Sequence, residues 1–157
     1  MPFFDFMKAK PEVEPPWNDN WKLEILHLKY PDITQEINWV VPHEYKLQML
    51  SMTFELTPDG GISSSVTLLE VFDGQDQIYK FAGNTFTGVN QLIVSYMNWD
   101  AALPRSVTSE DQYAHLPREM YMRPGMRLYY TFSNPLPNHT INAMTLTFKR
   151  WNLRGTE

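Results

Sequence analysis

The sequence predicts an all-β chain, an antiparallel two-sheet sandwich for which a jelly roll of about eight strands is the natural count. Three observations carry this prediction. Apolar residues recur with period two over many short segments. Turns rich in proline and glycine separate those segments, and twelve prolines outnumber seven glycines. No segment keeps a helical period beyond about two turns. Aromatic residues make up 14% of the 157 positions and favour pleated, half-buried backbone.

Residues 1–20 read as an extended arm and 21–157 as the sandwich domain. In the arm, Phe3, Phe4 and Phe6 cluster beside Met7, and Pro11, Pro15 and Pro16 block a long helix. A frayed tail is one reading of this segment; the other is an arm that docks its aromatics on a neighbouring subunit, with Phe3, Phe4, Phe6 and Trp17 as the expected partner interface. A strand over 21–30 carries Trp21, Leu23 and Ile25 on one parity, then Leu26, Leu28 and Tyr30 on the other. Such a one-residue slip predicts a bulge or a strand buried on both faces. A short strand follows near 37–41.

The strongest strand, 44–56, slips in the same way between Met49 and Leu50, as a strand that bends between sheets or changes its buried face would. Thr57-Pro58-Asp59-Gly60-Gly61 then turns the chain. Residues 62–72 are expected to return as the hairpin partner of 44–56. Asp73-Gly74-Gln75-Asp76 leads into 77–82, and 91–99 forms a further strand. Residues 100–116 show no period and read as a long irregular loop of the kind that makes intersubunit contacts. Strands at 118–122, 127–132 and 141–151 complete the domain, separated by turns at Arg123-Pro124-Gly125-Met126 and Asn134-Pro135-Leu136-Pro137-Asn138.

Composition excludes several function classes. With no cysteine there are no disulfides, thiol nucleophiles or thiolate metal ligands. A net charge of −5 provides no basic field for a nucleic-acid backbone. Met1–Lys8 lacks the pattern of a signal peptide, and no run of about 18 apolar residues is present to span a membrane.

The search for chemistry returns no catalytic, cofactor-binding or metal-ligating set. His27, His43, His115 and His139 are dispersed and lack the His-x-His pair of a cupin-type metal site. His27 reads as a hydrogen-bonded strand residue, and the other three as solvated corner residues. Asp73 and Asp76 are too few for a calcium loop, which takes six or more oxygens. For a glycosidase-type carboxylate pair, candidates such as Glu55 and Glu70 could face each other across a 44–72 hairpin, with an exposed strand residue as the alternative reading of each. Trp39 and Trp99, near strand ends, are the candidates for a glycan-stacking platform, with core packing as the alternative reading of each.

Val40-Val41-Pro42-His43-Glu44-Tyr45-Lys46-Leu47-Gln48-Met49-Leu50-Ser51, the Thr-Pro-Asp-Gly-Gly turn, Leu116-Pro117-Arg118-Glu119-Met120-Tyr121-Met122-Arg123-Pro124-Gly125-Met126 and the closing Phe148-Lys149-Arg150-Trp151 form a sequence of elements. Over residues 35–152 it resembles the small jelly-roll or β-sandwich accessory proteins of tailed-bacteriophage virions. The resemblance implies a non-enzymatic capsid decoration or cement subunit, or a neck or tail component. It implies assembly in the bacterial host cytoplasm into a virion. The implied partners are copies of the chain itself, as a homo-oligomer with a trimer favoured, and capsid or other virion proteins. A glycan-binding module contacting the host surface is the alternative.

Overall fold

The computed structural model describes residues 20–30, 35–58, 65–83, 85, 91–98, 111–133 and 139–153. They form ten strands: β1 (Lys22–Lys29), β2 (Glu36–Val40), β3 (Tyr45–Thr57), β4 (Thr67–Asp73), β5 (Asp76–Ala82), β6 (Leu92–Asn98), β7 (Asp111–Leu116), β8 (Tyr121–Met122), β9 (Arg127–Phe132) and β10 (Thr140–Asn152). One sheet runs β1-β10-β3-β6-β7, with β8 also paired to β3, and the other runs β2-β9-β4-β5. The two pack face to face as a sandwich, as the alternating sequence predicts.

The antiparallel pairs are nested. β4 pairs with β5, β3 with β6, β2 with β9 and β1 with β10. The β4–β5 turn is a two-residue loop whose first position, Gly74, has φ of 61°, which a glycine takes at no steric cost. At 123–126 the Met126 amide donates to the Arg123 carbonyl at 3.1 Å. Pro124 and Gly125 (φ 81°) fill the positions that a type II turn asks of proline and glycine.

Inward positions of both sheets supply the core. Met52, Phe54 and Leu56 from β3, Leu92, Val94 and Tyr96 from β6, and Met144, Leu146 and Phe148 from β10 meet Leu69, Val71, Leu128, Tyr130 and Phe132 of the other sheet. Phe54 and Tyr130 stack with ring centroids 3.7 Å apart and planes 9° from parallel, and Tyr96 meets both rings edge-on.

The slip at Met49 is a bulge. Phe148 pairs with Met49 and Thr147 with Ser51, leaving Leu50 as the extra residue. Leu47 and Met49 before the bulge, and Met52, Phe54 and Leu56 after it, therefore all face the core. The expected bend between sheets or change of face is corrected to one face with an absorbed residue. At Ile25 no bulge occurs, because β1 pairs with β10 without a register shift from Lys22 to Lys29. Nor is β1 buried on both faces. Leu26 and Leu28 pack on the core, whereas Leu23 and Ile25 are exposed.

Three more expectations are corrected. β3 and β4 are not a hairpin, since they lie in different sheets and the chain crosses the sandwich between them. Residues 111–116, read as loop, form β7, which runs parallel to β6. Its alternation is concealed because buried Gln112 holds an inward position where an apolar residue is expected. The strand expected over 118–122 shrinks to Tyr121–Met122, since Arg118 and Glu119 turn the chain.

Candidate interaction surface

β1 is the end strand of its sheet, and among the described residues nothing pairs with its outer edge. Trp21, Leu23 and Ile25 stand on the outward face at this edge, 38, 59 and 65% exposed. The pleat forces the arrangement: Leu26 and Leu28 must face the core, so residues of the other parity face solvent. The strand is anchored from behind. Arg150 on β10 pairs with Glu24 at 2.6 Å and lies 5.2 Å over the Tyr45 ring. Burial raises the Tyr45 phenol's pKa, the Glu24 and Glu44 carboxylates add to the rise, and Arg150 opposes it. Lys149 Nζ lies 4.5 Å over Trp21. His27 Nδ1 is 2.7 Å from Thr145 Oγ1, in accord with its reading as a hydrogen-bonded strand residue.

The other end strands carry devices that discourage edge-to-edge pairing. β5 has a bulge at Ile78 and Lys80 beside it, and β2 is only five residues long with Glu36 at its start. β7 has six residues and begins with Asp111. β1 has eight consecutive residues with no proline and no bulge. It is the longest of the four ends, and its charges are Lys22, Glu24 and Lys29.

A second feature is a small cleft of about 40 Å³ lined by Ala82, Gly83, Val94, Tyr96 and Gln112–Ala114. That volume admits about one to three water molecules and no larger ligand. Behind it the hydroxyls of Thr67, Tyr96 and Tyr130, all fully buried, gather close enough to influence one another without reaching the geometry of a direct hydrogen bond. Gly83 is required by crowding. A Cβ there would run into Thr67 Oγ1 and lie 3.0 Å from Gln112 Oε1. Gly83→Ala is therefore expected to cost about 1–3 kcal/mol in urea unfolding. The cost should fall by at least about half in a Thr67→Ala background, where the obstructing oxygen is gone.

The residues singled out from sequence are scattered. Phe3, Phe4, Phe6, Trp17 and Trp99 lie outside the described residues, as does 100–110 of the expected contact loop. Trp39 is half-buried on the inward face of β2, with its ring centroid 6.4 Å from that of Phe148. Glu55 lies on β3, while Glu70 lies on β4 of the opposite sheet, hydrogen-bonded by Gln77 and paired with Lys80 at 3.1 Å. Asp73 and Asp76 face each other as the closing pair of the β4–β5 hairpin. The expectation of three solvated histidines is corrected. His43 is exposed, but His115 is half-buried on β7 and His139 is 1% exposed, stacked on Phe132 at 4.6 Å. His139 directly precedes β10, so the packing of that strand draws it into the core margin. Among the described residues no three His, Asp or Glu side chains come together as a metal-binding group.

Comparison with family models, curated proteins and solved structures gives no match for this chain.

Proposed function

We propose that this chain is a non-enzymatic structural subunit of a bacteriophage virion, a capsid-associated decoration or cement protein that works by contact with other copies and with neighbouring virion proteins. The observation that carries this reading is the apolar ridge of Trp21, Leu23 and Ile25 on the longest end strand. Contiguous exposed apolar side chains on a pairing-competent edge are a liability for an isolated domain and an asset for one that assembles. The nested strand order adds support. With β7 and β8 set aside as an insertion between β6 and β9, the eight remaining strands fall in the order 1-8-3-6 and 2-7-4-5. A jelly roll, the architecture that viral capsid domains share with lectins and cupins, would have this order, so the order supports the class of fold more than the role.

The test is location. An antibody raised against the folded chain should label phage particles purified by density gradient from lysates of the cells that encode it. The chain should also co-purify with them in a fixed ratio to the major capsid protein. A chain confined to the soluble fraction overturns the proposal.

A further inference from the structure

The backbone of β1 shows what its free edge can accept. The Tyr30 amide donates to the Asn142 carbonyl at 2.9 Å, in step with the β1–β10 register. Even-numbered residues of β1 therefore turn their amides and carbonyls toward β10, and odd-numbered ones turn theirs outward. Trp21, Leu23 and Ile25 thus present to the edge backbone groups that no described residue pairs, and apolar side chains to the outer face.

The geometry points to a second copy of this chain as the occupant, joined by antiparallel β1–β1 pairing about a two-fold axis at Leu23. This inference rests on the subunit reading above and specifies its contact. In this register Leu23 meets Leu23 of the other copy and Trp21 meets Ile25, each as a hydrogen-bonded pair. Three apolar side chains from each copy then form one patch. On the inward side Lys22 faces Glu24 twice, and opposite charges directly across a ladder attract.

The neighbouring registers lack this complementarity. Centring on Glu24 opposes like charges. Centring on Ile25 sets Glu24 against Leu26 and Lys22 against Leu28. Of these three registers, sequence and edge polarity favour the one centred on Leu23, which is isologous and closes on itself. It is a two-fold contact and differs from the threefold association that the resemblance implies.

The test uses the full-length chain, whose lack of cysteine makes single substitutions clean reporters. In Leu23→Cys the two introduced side chains start about 5 Å apart, within reach of a short bis-maleimide. In Lys29→Cys they lie about 40 Å apart along the paired strands. The expected result is a sedimenting dimer between about 1 and 100 μM, efficient cross-linking of Leu23→Cys, and little of Lys29→Cys. Lys22→Glu places Glu beside Arg150 within the chain, so the fold is kept, but opposes Glu24 across the axis. It should weaken the dimer about tenfold.

A monomer throughout that range, equal cross-linking at both positions, or an unchanged dimer in Lys22→Glu overturns the inference. Particle labelling is a separate measurement. A chain that labels particles without cross-linking at Leu23 retains the subunit role and loses this contact.

Discussion

Phe54→Ala is expected to destabilise the domain by about 3–5 kcal/mol, the range for truncating a buried aromatic. Phe54 sits on β3 between Met144 of β10 and Val94 of β6, with no solvent exposure. Its ring is the link between layers, stacked on Tyr130 of the opposite sheet and met edge-on by Tyr96. Truncation removes the transfer energy of the ring and leaves a cavity. The surrounding strands can collapse into it only partly, since β3 is held by ladders on both sides. Against a total stability of about 5–15 kcal/mol, the loss should lower the thermal midpoint by roughly 10 °C or more. Phe54→Leu, which refills much of the volume, should cost clearly less. Urea unfolding with an unchanged slope is the check. A loss below about 1 kcal/mol for Phe54→Ala would show that the stack does not tie the sheets together.

Much of the local architecture was legible in the sequence, because alternation and turn chemistry are local. The turns at 73–76 and 123–126 stand where the glycines place them. The slip at Met49 marked a real irregularity, and only its kind needed the structure. Long-range pairing was not legible. Ile25 pairs with Thr147 and Glu36 with Thr131, and nothing in either segment names its distant partner. The hairpin expectation drawn from Pro58-Asp59-Gly60-Gly61, of which 59–61 lie outside the described residues, misled for a related reason. Turn residues say that the chain reverses, not whether it returns to the same sheet or crosses to the facing one.

The candidate surface was half visible. Trp21, Leu23 and Ile25 stood out as an apolar parity, but alternation alone does not say which of two apolar faces is covered. That answer came from β10, which draws Leu26 and Leu28 inward. The hydroxyl cluster was hidden more thoroughly. Thr67 looks like a polar surface position in a strand pattern and Gln112 falls in a stretch that reads as loop, and both are buried. The one sequence signal near them was Gly83, which follows the strand read at 77–82 and is a close-packed position against Thr67.

That cluster gives the domain a defined response to alkali. Burial raises the Tyr96 phenol to about 12, with the Thr67 and Tyr130 hydroxyls partly offsetting the rise. Tyr130, fully enclosed, is pushed well above its ordinary value, first by burial and then by Tyr96. An unfolded phenol titrates near pH 10. Below that pH both states keep their protons and the native state has its full stability. Between about pH 10 and 12 the unfolded chain loses protons that the native core retains, so stability falls as pH rises. The slope is about 1.4 kcal/mol per unit for each phenol, or about 3 kcal/mol from Tyr96 alone. Tyr130 carries the loss further. Tyr96→Phe removes both the titrating group and a hydroxyl without a direct hydrogen bond. At pH 7 it should therefore stay within about 1 kcal/mol of the parent, while its stability declines less steeply above pH 10. Tyr96→Phe combined with Tyr130→Phe should flatten the decline further. Urea midpoints measured from pH 7 to 12 distinguish the cases. Parallel declines in parent and variants would place the alkaline sensitivity outside the Thr67–Tyr96–Tyr130 cluster.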